Sequence, residues 1–175
     1  RETIALPAHQ IAFLKKLRDN NKKPIITVLT GGSPIALTEV CEYSDAVIMA
    51  WYPGQEGGLA LGDVIFGDAV PSGRLPITFP VTEKTLPAYE DYSMKGRTYR
   101  YMSDNIMFPF GYGLSYTTFA YSDLKVTSGA MNGKKDITVE VTVKNTGNVG
   151  GREVVQLYLS LPKAGKSNPY SSLVA

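Results

Sequence analysis

The chain has 175 residues, enough for one ordinary domain or two small ones. Its composition, 43% hydrophobic and 19% charged, is typical of a globular chain, and a net charge of +2 without a basic cluster argues against nucleic-acid binding. No apolar run approaches the roughly 20 residues that span a bilayer, so no membrane span is predicted. A single histidine and a single cysteine exclude a multi-histidine metal site, a histidine-based catalytic triad and an internal disulfide.

The first part of the chain alternates between helical and strand patterns. Pro7 suits the first turn of a helix that presents most of its apolar residues on one face and ends at Asn20. Residues 25–29 and 46–51 are rich in apolar side chains, as expected of parallel strands covered on both faces. A short helix over residues 35–42 would connect them. This alternation predicts a parallel sheet flanked by helices, the back half of a larger doubly wound domain.

The loop after the second strand is the first candidate for a functional segment. Residues 53–58 follow a parallel strand and include the start of a helix predicted over residues 56–66. This is a position where α/β folds bind ligands. A structural connection whose glycines allow close packing explains the same spacing. Glu56 would act either as a catalytic carboxylate or as a simple partner of the helix dipole. Ser33, the predicted N-cap of the preceding helix, ends a glycine loop that lacks the phosphate-binding fingerprints.

Residues 81–116 lack regular periodicity and are rich in Tyr, Pro and Gly. Such a stretch predicts a long ordered connection whose aromatic residues pack over a neighbouring surface. Arg97 and Arg100 stand among tyrosines, where they could pair with carboxylates or stack on aromatic rings. Immediately before this stretch, residues 77–79 would add an edge strand to the parallel sheet.

The last part of the chain changes to an alternation of period two. Apolar and polar residues alternate over residues 137–144, and the pattern resumes after a turn at 145–148 through residues 155–161. With a strand over residues 119–126, these segments predict half-buried antiparallel strands, the first half of a β-sandwich. We expect the chain to be truncated before the second sheet. The exposed apolar face and strand edges would then favour poor solubility, swapping or a homo-oligomer.

Six motifs in a fixed order make the sequence resemble glycoside hydrolase family 3, particularly its bacterial β-glucosidases. They are YPGQEGG (52–58), DVIFGD (63–68), PSGRLP (71–76), RTYRY (97–101), FPFGYGLSYTTF (108–119) and VKNTG (143–147). The resemblance implies an N-terminal (β/α)8 barrel, an α/β sandwich domain and a C-terminal fibronectin-III-like domain. The fold class expected here is therefore α/β, a partial parallel-sheet sandwich domain followed by a partial all-β fibronectin-III-like sandwich. The corresponding segments are residues 1–80, the connection 81–116 and residues 117–175.

The resemblance also implies a chemistry, the hydrolysis of β-linked glucosides or xylosides with retention by two carboxylates. The family's nucleophile is an aspartate of the barrel, and its acid/base glutamate precedes a segment that resembles RETIALPAHQ (1–10). No catalytic residue is therefore expected in this chain, which should be inactive alone. The candidates for the active-site rim or, preferably, for a contact between domains are Trp51, Gln55, Glu56, Arg97 and Arg100. No metal and no organic cofactor are implied.

The partners implied by the resemblance are a carbohydrate substrate and the N-terminal barrel of the same protein. A periplasmic or extracellular location is expected from the resemblance alone, since the sequence shows no signal peptide. The alternative from another class is a non-catalytic carbohydrate-binding or interaction module of the same architecture. A third reading, a small-molecule-binding α/β domain, would require an anion to bind at the loop formed by residues 31–33.

Overall fold

The computed structural model describes residues 3–131, 134–165 and 168–175. The helices are α1 (Ala8–Asn20), α2 (Thr38–Tyr43), α3 (Gly57–Phe66) and α4 (Thr98–Tyr101), with a 3-10 turn at Glu83–Thr85. The strands are β1 (Ile26–Thr30), β2 (Ala46–Trp51), β3 (Phe79–Pro80), β4 (Ile106–Phe108), β5 (Phe119–Met131), β6 (Lys134–Asn145), β7 (Tyr158–Leu159) and β8 (Ser172–Leu173). Over the described ranges no helix is long and apolar enough to cross a bilayer.

The parallel sheet predicted for the first part of the chain is present as β1 and β2. The two strands pair in parallel, with Ile26 opposite Ala46. The buried residues that form the core against this sheet are Leu14, Ile25, Leu29, Ile35, Leu37, Val40 and Phe79. Ile26 and Val28, which alternate with Leu29, are exposed. The expectation of burial on both faces therefore holds for only one face of β1 within this chain.

The helix predicted over residues 35–42 begins later than expected, at Thr38. Its N-cap is Leu37, so Ser33 does not cap it. Ile35 and Leu37 are both buried in the core from a non-helical segment, where the Ala36 N–H donates to the Ile4 carbonyl at 3.0 Å. Burial of the two apolar side chains and this distant hydrogen bond take precedence over the local capping signal.

The prediction that residues 77–79 extend the parallel sheet is wrong. The strand found there, β3, pairs antiparallel with β4, and Phe79 lies opposite Phe108. Residues 81–116 are consequently not a connection without elements, since they contain the 3-10 turn, α4 and β4. The partner of β3 lies almost thirty residues further along the chain, a pairing that local periodicity does not reveal.

The hairpin predicted in the last part of the chain is confirmed for its first two strands. β5 and β6 pair antiparallel along their length, and the register shifts between Ser122 and Lys125. The strand predicted over residues 155–161 is wrong in extent, because only β7 forms there and it pairs with β8. Several apolar residues of the hairpin are exposed rather than half-buried, namely Tyr121, Leu124, Val126, Ile137, Val141 and Val143. The hairpin therefore carries an exposed apolar surface within the described residues.

Helix α1 is fastened to the loop before β2 by Arg18. Its guanidinium donates to the Asp45 carboxylate and, at 3.1 Å, to the Tyr43 carbonyl. The Ile25 N–H donates to the same Asp45 carboxylate at 2.7 Å. The Arg18 hydrogen bond and then the Ile25 N–H hold the pKa of Asp45 below its ordinary value.

This lowered pKa predicts a pH-dependent contribution to stability. The Asp45 carboxylate stabilises the fold fully above its unfolded pKa of about 4, and this contribution is lost as the pH falls through the lower folded pKa. We expect Asp45→Asn to lower the melting temperature at pH 7, and the gap to wild type to shrink below about pH 4. Asp19→Asn, an exposed position on α1, is the matched control. A gap that stays constant from pH 7 to acid would contradict this assignment.

Candidate functional site

The loop predicted to be functional begins at Trp51, the last residue of β2. Trp51 has a left-handed backbone with φ of 53°, which costs a non-glycine residue about 1 kcal/mol. Its ring packs edge-on against Phe79 with the ring centroids 6.0 Å apart, and its carbonyl accepts the Gly31 N–H at 3.0 Å. These two contacts fix the end of β2 against the core in spite of the backbone strain.

Two glycines at this edge of the sheet have another side chain close to their Cα atoms. A Cβ on Gly32 would lie 2.7 Å from a ring carbon of Tyr52, and a Cβ on Gly57 would lie 2.6 Å from Pro53. Close approach to the rigid Pro53 ring therefore explains Gly57. The contact at Gly32 is with the far end of the Tyr52 side chain, which is 80% exposed and can turn away, so it does not explain Gly32.

Gln55 and Glu56 lie at the tip of this loop and are exposed. Glu56 is the N-cap residue of α3, where its carbonyl accepts the Ala60 N–H at 3.0 Å and its side chain makes no capping hydrogen bond. No hydrogen bond or ion pair in the described part of the chain orients the Glu56 carboxylate. A catalytic carboxylate requires such orientation, so the loop geometry fits a contact surface better than a reaction centre.

Arg97 is tied to main-chain carbonyls instead of carboxylates. Its guanidinium donates to the carbonyls of Ala88 at 2.6 Å, Pro87 at 3.3 Å and Asp91 at 3.3 Å. The adjacent Asp91 carboxylate accepts the Ser93 N–H at 2.8 Å, which lowers the pKa of Asp91. Arg97 therefore closes the loop over residues 87–91.

Arg100 is exposed and lies over the ring of Tyr101, 5.6 Å from its centroid, as in a cation–π contact. Within the described ranges no hydrogen bond or ion pair joins Arg97 or Arg100 to the loop over residues 51–56. The five candidates thus form two separate groups. Among the described residues, no cluster of three or more His, Cys, Asp and Glu side chains could hold a metal ion.

Sequence reasoning missed an ion pair that joins distant parts of the chain. The Arg74 guanidinium donates to Glu153 at 2.7 Å, and the two side chains are only 12% and 16% exposed. The Tyr121 hydroxyl donates to the other Glu153 oxygen at 2.9 Å, and burial together with this hydrogen bond raises the pKa of Tyr121. Arg74 stands in the PSGRLP motif, but nothing in the sequence marks Glu153 as its partner.

Comparison with known proteins identifies the family. The sequence profile of the glycosyl hydrolase family 3 C-terminal domain matches residues 1–116, more than half of the chain. The chain belongs to glycoside hydrolase family 3. This confirms the resemblance inferred from the six motifs.

Relatives of this family 3 chain are named as glycosidases. It is 51% identical over 91% of its length to a xylan 1,4-β-xylosidase of Xylanibacter ruminicola, and 38% identical over 99% to a periplasmic β-glucosidase of Salmonella typhimurium. The crystal structure of a family 3 β-glucosidase from Bifidobacterium adolescentis covers the whole chain with a TM-score of 0.88 and 35% identity. The chain spans 18%, 24% and 27% of these three proteins. The likeness confirms the predicted fold class.

The PSGRLP motif (71–76) and the FPFGYGLSYTTF motif (108–119) pack against each other in this family 3 chain. The Leu75 N–H donates to the Tyr112 carbonyl at 2.8 Å, and the Gly111 N–H donates to the Leu75 carbonyl at 2.8 Å. Gly113 lies so close to Gly73 that a Cβ at position 113 would overlap the Gly73 carbonyl oxygen. The glycines of these motifs therefore serve the structure. Arg1 and Glu2 of the RETIALPAHQ segment lie outside the described residues.

Proposed function

We propose that this chain is the C-terminal portion of a longer retaining glycoside hydrolase that removes terminal β-linked glucose or xylose from oligosaccharides or glycosides. The observation that carries the proposal is the match of 91–99% of the chain to proteins named as a β-xylosidase and a β-glucosidase. The name of the Salmonella relative supports a periplasmic or extracellular location. In this account the longer protein needs no metal or organic cofactor.

Retaining hydrolysis needs two carboxyl groups about 5 Å apart, one ionised to attack the anomeric carbon and one protonated to release the leaving oxygen. Three carboxylates of this chain are instead occupied by structural partners. Asp45 is bound to Arg18, Glu83 accepts the Thr3 hydroxyl at 2.6 Å, and Glu153 is bound to Arg74. On the family resemblance of residues 1–10, we place both catalytic carboxylates in the remainder of the longer protein and expect the isolated chain to be inactive.

The proposed role of the loop over residues 51–56 is contact with the barrel domain of the same protein. The support is an exposed apolar surface next to Gln55 and Glu56. Tyr52 is 80% exposed, and on α3 Leu59 and Phe66 are 66% and 84% exposed. Leu59 and Phe66 are seven residues apart and lie on one face of the helix. An apolar surface of this kind is typical of an interface.

The two arginines form the second group of candidates, and their proposed roles differ. Arg97 supports the loop over residues 87–91 from within, because its guanidinium is engaged by carbonyls of that loop. Arg100 is exposed and presents its guanidinium to a neighbouring surface. Arg100 is therefore the candidate for direct contact with the barrel or with the rim of the carbohydrate site.

A domain-contact role for Glu56 predicts a mild effect of Glu56→Gln in the longer protein. We expect kcat on p-nitrophenyl β-D-xylopyranoside or glucopyranoside to change by less than about tenfold, since loss of a general acid or base costs about 10²- to 10⁴-fold. The matched control is Gln55→Glu at the neighbouring exposed position. A fall of kcat beyond a hundredfold, with a changed pH profile, would make Glu56 a catalytic residue and refute this role.

The proposed reaction is tested by the stereochemistry of the first product. Proton NMR of the longer protein acting on an aryl β-glycoside should show the β-anomer of the free sugar first, because a retaining enzyme uses two successive displacements. Initial release of the α-anomer would establish an inverting mechanism. Absence of hydrolysis of both glucoside and xyloside would refute the proposed function.

A further inference from the structure

Helix α4 is a single turn whose shape depends on the rest of the chain. It has four residues, Thr98–Tyr101, and isolated helices shorter than about 12 residues are marginal in water. Its first residue, Thr98, has a left-handed backbone with φ of 56°, which is unfavourable for a β-branched side chain. Such a conformation persists only where the surrounding structure imposes it. The contacts around α4 therefore show what holds it.

One of these neighbours is the segment formed by residues 168–175, which we call the strap. It contains β8 and pairs antiparallel with β7. The Val174 N–H donates to the Leu157 carbonyl at 2.9 Å, and the Ser160 hydroxyl donates to the Tyr170 carbonyl at 2.7 Å. The strap is thus fixed on the part of the chain that follows the β5–β6 hairpin.

The strap binds α4 through two of its main-chain N–H groups. The Tyr170 N–H donates to the Arg100 carbonyl at 2.7 Å, and the Leu173 N–H donates to the Tyr99 hydroxyl at 3.1 Å. These two hydrogen bonds reach consecutive residues of the single turn. A shift of the strap would therefore move Arg100 with it.

Tyr99 also holds α4 through its ring. The ring stacks on Phe110 with the centroids 4.4 Å apart, and its edge meets Tyr158 of β7 at 5.9 Å. Stacked and edge-to-face arrangements are the favoured geometries of aromatic pairs. The FPFGYGLSYTTF motif, β7 and the strap thus all contact Tyr99.

Arg100, the next residue, keeps its guanidinium available. The side chain is exposed and lies over the Tyr101 ring, 5.6 Å from the centroid. Within the described ranges its guanidinium forms no hydrogen bond and no ion pair. The five N–H donors of a guanidinium form a planar fork that matches a carboxylate. A fixed main chain that carries a free guanidinium suits a contact with a carboxylate outside this chain.

We propose that Tyr99 and the strap position Arg100 for contact with a carboxylate of the barrel domain. This inference rests on the domain-contact role proposed above for Arg100 and adds how that contact is held in place. Tyr99 acts through Arg100 and is a positioning residue. The part of the chain after the β5–β6 hairpin then has a function of its own, which is to fix α4 for the barrel.

The test is amide hydrogen exchange, followed by mass spectrometry, on the longer protein. Arg100→Met should make at least one barrel peptide exchange about threefold faster, because an exposed ion pair is lost there. Tyr99→Leu should speed exchange in the same barrel peptide to a similar extent, although it leaves the guanidinium in the chain. The double variant should exchange no faster than Arg100→Met alone.

Three results would overturn the proposal. In the first, Tyr99→Leu leaves this barrel peptide as protected as in the wild type. In the second, the effects of the two substitutions add. In the third, no barrel peptide changes in Arg100→Met. If Tyr99→Leu fails to fold, Phe110→Leu takes its place, with the same expected pattern.

Two further variants separate positioning from a loss of stability. Tyr99→Phe keeps the ring contacts and loses only the bond to Leu173, so it should restore most of the protection lost in Tyr99→Leu. Tyr121→Phe removes a hydroxyl that is bonded to Glu153 instead of the strap, and it should leave the barrel peptide protected. Equally fast exchange of that peptide in Tyr121→Phe would contradict a specific role of Tyr99.

Hydrogen exchange is measured without hydrolysis, so the two proposals fail separately. A longer protein that shows the expected exchange pattern but cleaves neither glucoside nor xyloside would refute the proposed reaction and leave this inference intact.

Discussion

Replacement of Gly113 with alanine is expected to lower the free energy of unfolding by about 3 kcal/mol. The added Cβ would overlap the carbonyl oxygen of Gly73. The two segments cannot simply separate, because hydrogen bonds of 2.8 Å from the Leu75 N–H to Tyr112 and from the Gly111 N–H to Leu75 hold them together. Relief of the overlap would strain or break these bonds, each worth about 1 kcal/mol. Urea unfolding followed by circular dichroism measures the loss.

The matched control is Gly62→Ala in α3. Nothing lies within 4 Å of a Cβ built on Gly62, and its backbone is helical. Alanine there should stabilise the chain by about 0.5–1 kcal/mol, since glycine is the weaker helix former. If Gly113→Ala is as stable as wild type while Gly62→Ala behaves as expected, the close approach of the two motifs is not what requires glycine at position 113.

The second large effect is expected at the ion pair between Arg74 and Glu153. Arg74→Met should destabilise the chain by about 3 kcal/mol, because the largely buried Glu153 carboxylate then keeps, among the described residues, just the Tyr121 hydroxyl as partner. Removal of both charges in Arg74→Met/Glu153→Leu should cost less than the sum of the single substitutions. A double-mutant cycle of unfolding free energies measures the coupling.

An exposed arginine provides the comparison for this cycle. Arg100→Met removes a cation that lies 5.6 Å from the Tyr101 ring centroid, and it should cost less than about 1 kcal/mol. Additive effects at Arg74 and Glu153, or a cost of Arg74→Met no larger than that of Arg100→Met, would show that the ion pair does not hold the two parts of the chain together.

The elements that local sequence determines were predicted well. The helix from Pro7 to Asn20 and the strand over residues 46–51 agree with α1 and β2, because amphipathic spacing and an apolar run act over short range. The start of α2 was predicted wrongly, since burial of Ile35 and Leu37 outweighs the Ser33-Pro34 signal. Local patterns therefore fail where tertiary packing decides the backbone.

Pairings over long range were not predictable from periodicity. Strand β3 pairs with β4, and the short β7 pairs with β8. In both pairs the partner strand is not the next predicted element, so the sequence pattern does not reveal it. The same holds for the Arg74–Glu153 pair, whose residues are 79 positions apart. The ring contact between Tyr99 and Tyr158 has the same origin, since these residues meet only in the folded chain.

The loop that carries three of the candidate residues was predictable from the sequence, but its contacts were not. The sequence predicts a loop between a strand and a helix, and the structure has this loop between β2 and α3. It could not reveal that Trp51 packs on Phe79, that Glu56 lacks an orienting partner, or that Arg97 binds main-chain carbonyls. These contacts, more than the residue types, favour a supporting role for the loop.

The central claim is that this family 3 chain supports a glycosidase whose catalytic carboxylates lie elsewhere in a longer protein. The most direct test compares hydrolysis of p-nitrophenyl β-D-glucopyranoside and β-D-xylopyranoside by the 175-residue chain and by the longer protein. We expect hydrolysis by the longer protein and none by the chain alone. Hydrolysis by the isolated chain, lost on Glu56→Gln, would contradict it.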